Sequence, residues 1–194
     1  FFYCKLLEKI GYIMAEQLKE LFSKKFVNFI AVKTKEYYPS FEQKNFQDTI
    51  INDNWQNLEL KERMRLIAVV FNDFLPLPYA EQLEILKKVK INLSYEDSMG
   101  LQSMIFQDFV EVFGLDDYDN SIKALESFTI DSSSEFAIRQ FILKYEDKTM
   151  SQMHTWALSE NEHIRRLATE GCRPRLPWAI ALPIFKNDPS KVLE

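Results

Sequence analysis

Residues 156–178, WALSENEHIRRLATEGCRPRLPW, concentrate the side chains that could do chemistry. Read as a helix from Asn161 to about Cys172, the stretch puts Ile164, Leu167, Ala168 and Gly171 on one side. His163, Arg166, Glu170 and Arg173 fall on another, at i, i+3, i+7 and i+10. One face packs, and the other is a strip of cations around a single carboxylate. The segment that follows, Arg173-Pro174-Arg175-Leu176-Pro177-Trp178, has two prolines that stiffen the backbone, two guanidinium groups suited to phosphate, and an aromatic plane. Together these suit a polyanion with bases or sugars attached. Arg166, Arg173 and Arg175 are the phosphate candidates, whereas Arg165 and Arg139, on other faces, read as ordinary salt-bridge partners.

Each carboxylate has a plain structural reading beside a chemical one. Glu170 could be a reactive carboxylate set among cations, or could form a helix-surface ion pair with Arg166 at i−4. Glu135 follows Ser134 in the first turn of an expected helix, where an acid favours the helix dipole, and stands four before Arg139. Structure alone accounts for it there. Trp178 could stack on a sugar or base, or could seal the next helix onto the core, and Trp156 reads as packing. His154 and His163 have no Asp/Ser arrangement around them and are wrongly spaced for a zinc pair, so both read as surface residues. Cys4 and Cys172 have no CxxC partner or ligand cluster, so no metal is assigned and no cofactor is called for.

The elements that position these residues are helices. Four glycines and few strand-like alternations point that way, and sixteen Phe and eight Tyr supply the large side chains that stacked helix pairs bury. Helices are expected over Ala15–Phe22, Lys24–Tyr37, Phe41–Asn52, Leu58–Asp73, Tyr79–Asn92, Met99–Phe113, Ser121–Thr129, Ser134–Tyr145, Ser151–Leu158, Asn161–Cys172 and Trp178–Lys186. Breaks fall at Tyr38-Pro39-Ser40, at Leu75-Pro76-Leu77-Pro78 and over Gly114–Asn120. Asn161 is a good N-cap with Glu162 in the first turn, and Pro174 stops the same helix. Ile138-Arg139 and Ile164-Arg165 stand 26 positions apart with a helix between them. Two helices per unit, each unit too thin to bury its own face, is the logic of an α-solenoid.

A net charge of −5 argues by itself against nucleic acid. Residues 161–194, however, carry six Lys/Arg against four Asp/Glu, which leaves a basic edge on an acidic body. With two cysteines there is no disulfide framework, which fits a reducing compartment, and a cytoplasmic location is expected. No run is long and apolar enough to span a bilayer; the richest, LIAVVF from Leu66, is far too short. Lys5, Glu8 and Lys9 break any apolar signal at the start, and Met14-Ala15-Glu16 reads as a natural beginning. Residues 1–13 are therefore expected to be an extension outside the natural protein. KNDPSKVLE reads as the cap and first turn of another helix, so residues 14–194 are expected to form one helical-repeat domain truncated at its C-terminus.

RRLATEGCRPRLPW, with SEFAIRQF over Ser134–Phe141 before it, resembles the HEAT-like-repeat DNA alkylation repair proteins, specifically the AlkC-type 3-methyladenine DNA glycosylases. The similarity is best from about Leu115 to Pro189 and thins towards the start, where LELKERMRLIAVVFNDFLP fits without a distinctive motif. The resemblance implies an all-α, curved solenoid of HEAT-like repeats. It implies hydrolysis, without a covalent intermediate and without base flipping, of the N-glycosidic bond of 3-methyladenine, 3-methylcytosine or 1-methyladenine. It further implies alkylated double-stranded DNA as partner, a monomer, catalytic roles for Glu135 and Glu170, and a DNA-facing role for Trp178 beside Arg166, Arg173 and Arg175. One geometric question accompanies it. If the helices of Ile138 and Ile164 stack in parallel register, the two glutamates lie ~13 Å apart along the axis and meet at one lesion only if the solenoid curves or the helices slide. Two other classes compete: a non-catalytic HEAT-like DNA-binding or scaffold module, and a protein-interaction solenoid, which the acidic net charge favours.

Overall fold

The structure is a computed structural model and describes residues 18–93 and 100–193. Within them there are eleven α-helices and no strand, so the all-α expectation holds. The expected helix over Ala15–Phe22 and the start of that over Met99–Phe113 lie partly outside the described residues, and the expected extension over residues 1–13 wholly so. The chain divides between Pro76 and Leu77 into two compact units.

The first unit holds α1 (Lys24–Tyr37), α2 (Gln43–Ile50), a single 3-10 turn at Trp55–Asn57 and α3 (Leu60–Phe74). Ser23 starts α1 by accepting from the Phe26 amide at 3.2 Å, and Glu59 with Glu62 forms a capping box on α3. Phe41, Phe46, Phe71 and Phe74 meet with ring centroids 4.8–6.4 Å apart and tie the helices together. Phe41 and Phe46 are buried, which is why the Tyr38-Pro39-Ser40 break leads directly into a packed helix start. Arg63 is buried over the Trp55 ring at 4.7 Å, with one nitrogen on Lys19 O and Glu20 Oε1.

The second unit carries the residues singled out above. It consists of α4 (Tyr79–Leu93), α5 (Met104–Phe113), α6 (Tyr118–Thr129), α7 (Ile138–Lys144), α8 (Glu146–Ala157), α9 (Glu162–Gly171), α10 (Pro183–Asn187) and α11 (Ser190–Leu193). Neighbours in the chain pack on one another: α4 on α5 and α6, α7 on α8, α8 on α9, and α9 back on α6. Phe106, Phe109, Phe128, Ile138, Phe141 and Leu167 fill the space between them. Asn161 caps α9, its Oδ1 accepting from the His163 amide at 2.9 Å, and the apolar side expected of that helix is the buried one.

Several boundaries shift by a few residues, and three of the differences have a clear local reason. Ser134 does not start α7, because its hydroxyl donates to Leu125 O at 2.7 Å and is spent on the end of α6. Residues 134–137 form a turn instead, and Glu135 lies in that turn rather than in a helix. The helix expected over Ser151–Leu158 begins a turn earlier at Glu146, with Glu146 and Asp147 at its positive end, so only Tyr145 separates it from α7. Trp178 has φ 65°, a left-handed backbone that no helix contains, and the last expected helix starts instead at Pro183.

Gly171 sets the spacing of α7 and α9. A Cβ there would stand 2.8 Å from Ile138 Cγ2 and 3.1 Å from Met153 Cε. Gly171→Ala should therefore lower the melting temperature: the usual helical gain of about 1 kcal/mol is outweighed by overpacking of roughly 1–3 kcal/mol. A thermal melt that rises on substitution would show that the contact is loose.

Candidate nucleic-acid interface

The loop from Ile130 to Ala137 joins α6 to α7 and is held from below. Lys90 Nζ, on the buried side of α4, donates to Ile130 O at 2.7 Å, and Ser132 Oγ donates to Gly100 O at 2.7 Å. Asp131 takes a left-handed backbone, φ 57°, which Asp tolerates better than most residues. Ser133 Oγ then accepts the Glu135 amide at 3.2 Å and turns the chain so that Glu135 points along the surface of α9.

Along that surface the expected stripe of α9 meets the loop residue by residue. His163 Nε2 lies 3.5 Å from Asp131 Oδ1, and one turn further Arg166 Nη2 forms an ion pair with Glu135 Oε1 at 3.0 Å. A turn beyond that, Glu170 Oε2 accepts from Arg173 at 2.6 Å. Arg166 is thus paired with Glu135 one helical turn before the Glu170–Arg173 pair. Glu135 is only 5 % exposed, and burial pushes its carboxyl above the usual glutamate range. Arg166 and the Ser133 hydrogen bond pull it partly back, Glu170 pushes it further up, and Arg173 pulls it down. Glu170 and Arg173 are therefore near enough for Glu135 to feel their charge.

Neither intrahelical ion pair read from the sequence forms. Glu170 takes Arg173 instead of Arg166, and Glu135 takes Arg166 instead of Arg139. Arg139 is wholly buried and meets carbonyl oxygens: Nε donates to Ile180 O at 2.5 Å, one terminal nitrogen to Gly171 O at 3.0 Å and Arg173 O at 2.8 Å, and the other to Pro174 O at 3.4 Å. Arg165 likewise binds carbonyls, those of Ser159 and Glu160, both at 2.8 Å. These two arginines occupy equivalent places in the 26-residue spacing, yet one is core and the other surface.

The loop that Arg139 holds, residues 172–182, carries Arg175 exposed and Trp178 65 % exposed. Trp178 does not seal a helix, whereas Trp156 is buried as expected. Cys172 is buried with its thiol on Ala168 O at 3.1 Å, and burial pushes its pKa up, which leaves it inert at neutral pH. Among the described residues no group of three His, Cys, Asp or Glu could hold a metal ion, and no helix is long and apolar enough to cross a membrane. Sequence reasoning missed Arg139, and with it Lys90, Asp131 and Ser133. The available signal was the setting of Arg139 between Phe136, Ile138, Phe141 and Ile142, a run too apolar for a surface cation.

No protein-family model matches the chain. It is 43% identical over 176 residues to the uncharacterized protein YhaZ of Bacillus subtilis (strain 168), a match covering 91% of this chain and 48% of that protein. It is also similar to a solved structure, the Pseudomonas fluorescens alkylpurine DNA glycosylase AlkC bound to DNA containing an abasic site analog. There the TM-score is 0.84 and the identity 34%, over 91% of this chain and 48% of the other. The chain spans about half the length of the relatives it matches, and its described helices have the helical-repeat fold of that glycosylase.

The raised pKa of Glu135 has a consequence for stability. Its contribution is fully present below the ordinary glutamate value, about 4.3, and is lost as pH rises through the higher folded-state value. Glu135→Gln removes that loss, so the melting temperature of the variant relative to wild type should climb from pH 4 upwards and level off above the folded-state pKa. A difference that stays constant across pH 4–8 would mean that Glu135 titrates as it does in the unfolded chain.

Proposed function

We propose that this chain, which belongs to the AlkC-type family of DNA alkylation repair proteins, is the catalytic helical-repeat part of a monofunctional DNA glycosylase. It hydrolyses the N-glycosidic bond of cationic alkylated bases, 3-methyladenine, 3-methylcytosine and 1-methyladenine, in duplex DNA. The observation that carries this reading is the pair of carboxylates, Glu135 on Arg166 and Glu170 on Arg173, beside a loop that exposes Arg175 and Trp178. The AlkC structure holds DNA with an abasic site analog, which is the product side of such a reaction.

The chemistry follows from charge. An alkylated base that is already cationic departs neutral, so the protein need only favour the positive sugar left behind and guide water to it. Glu170, partly exposed at the rim, faces the sugar, where a fixed negative charge lowers the energy of an oxocarbenium-like state. Glu135, with its proton affinity raised by burial and its carboxyl on Arg166, is suited to take a proton from the attacking water. Each guanidinium has five N–H donors, so Arg166 and Arg173 can hold their glutamates and still reach a phosphate. Arg175 reaches for the backbone directly and Trp178 offers its indole to a sugar or base edge. An enzyme that extrudes its target encloses the base between ring or apolar faces. The rim here offers ions and one exposed indole, which supports a base that stays stacked while its sugar is hydrolysed.

The chain should release methylated base from N-methylated duplex, and Glu170→Gln should slow that release by roughly 10²–10⁴-fold while binding to an abasic-analogue duplex persists. Salt-sensitive binding with no base release from the wild type would favour the non-catalytic DNA-binding or scaffold module. No binding at low salt would favour a protein-interaction solenoid.

A further inference from the structure

The loop between Gly171 and Leu182 has little of its own to keep it in shape. Its backbone hydrogen bonds are few: Arg173 N to Glu170 O at 3.3 Å, Ala179 N to Leu176 O at 3.2 Å, and Leu182 N to Pro174 O at 2.9 Å. Pro174 and Pro177 remove two donors, and Trp178 at φ 65° is a conformation that a bulky side chain adopts only when its surroundings impose it. One guanidinium reaches this loop from α7. Every nitrogen of Arg139 is used, and its acceptors lie on both sides of Arg175 and Trp178: Gly171, Arg173 and Pro174 before them, Ile180 after.

The charge of Arg139 is compensated without a carboxylate. Gly171 O belongs to the negative end of α9, where a cation is favoured, and three further carbonyl dipoles complete the set. A planar fork with five donors can tie chain segments that arrive from several directions. The ammonium of lysine, a compact point charge, can satisfy one of them and leaves the rest of these carbonyls short of a donor. An arginine held this way cannot touch DNA, and it does not need to.

We propose that Arg139 is a positioning residue for the DNA interface: it clamps the backbone on both sides of Arg175 and Trp178 so that these two side chains are presented to the duplex in a fixed arrangement. The inference rests on the reading of this loop as DNA-facing, and it predicts that Arg139 contributes to binding only through the loop.

The test is a double-mutant cycle on the 194-residue chain with an abasic-analogue duplex as probe, alongside amide hydrogen exchange of residues 175–180. Arg139→Lys, with helical content unchanged, should lose exchange protection in the loop and weaken DNA binding on the order of tenfold. The same change should cost almost nothing further when Arg175→Ala and Trp178→Ala are already present. Additive losses, or a loop as protected as in the wild type, would overturn the proposal. If Arg175→Ala with Trp178→Ala binds DNA as well as wild type, the DNA-facing reading fails, while exchange in Arg139→Lys still reports whether the clamp exists. Should Arg139→Lys not fold, Pro174→Gly with Pro177→Gly loosens the same loop and leaves the guanidinium in place. That variant must then show the loss of protection and of affinity, and unchanged affinity would overturn the proposal.

Discussion

A guanidinium buried without a carboxylate is the constraint around which this half of the molecule is arranged. Arg139 can be buried only because four carbonyl groups converge on it, and they converge only because α7 and α9 approach closely at Gly171. A residue with a side chain at that position would push α9 away from Ile138 and open the carbonyl set. Removing one partner from such a buried charge leaves the other uncompensated, which costs far more than an exposed ion pair is worth. The close approach of two helices, the burial of one cation and the shape of an exposed loop are thus a single arrangement.

The rim above it is built from weaker interactions. Arg166 and Arg173 are more than half exposed, and pairs of that kind contribute little to stability, on the order of 0–1 kcal/mol. Their effect is on geometry and on proton affinity. Glu135 is buried enough to resist ionising, and Arg166 restrains that resistance. Glu170 is held against Arg173 at the start of the loop that Arg139 fixes. Acid and base alternate along the rim, so a chain with net charge −5 still exposes cations beside carboxylates there.

Much of this was legible before any coordinates. The capping of α9 by Asn161 and its end before Pro174 are strong local signals, and its buried and exposed faces fall where 3.6-residue periodicity puts them. The order of the described helices from Lys24 to Gly171 was readable for the same reason. What failed was competition between local rules and distant partners. Ser134 looks like a helix cap, but its hydroxyl is claimed by Leu125 O. Glu135 and Arg139 have ideal spacing for a pair, but only if both lie in one helix, and the turn at 134–137 separates them. Arg139 and Arg165 share a place in the repeat, which hides that one lies inside and the other outside. Trp178 adopts a backbone conformation that propensity assigns to glycine or asparagine, so the helix expected from Trp178 could not have been excluded locally.

The proposed chemistry is electrostatic: Glu170, with Glu135 beside it as the base, would favour positive charge on a deoxyribose. It is tested most directly by comparing the affinity of the chain for two duplexes, one with a neutral abasic analogue and one with a cationic iminosugar at the same position. The account predicts that the cationic sugar binds tighter, by on the order of a hundredfold for a transition-state mimic, and that the preference disappears when both glutamates are replaced by glutamine. Equal affinity for the two duplexes, or a preference that survives the loss of both carboxylates, would contradict it.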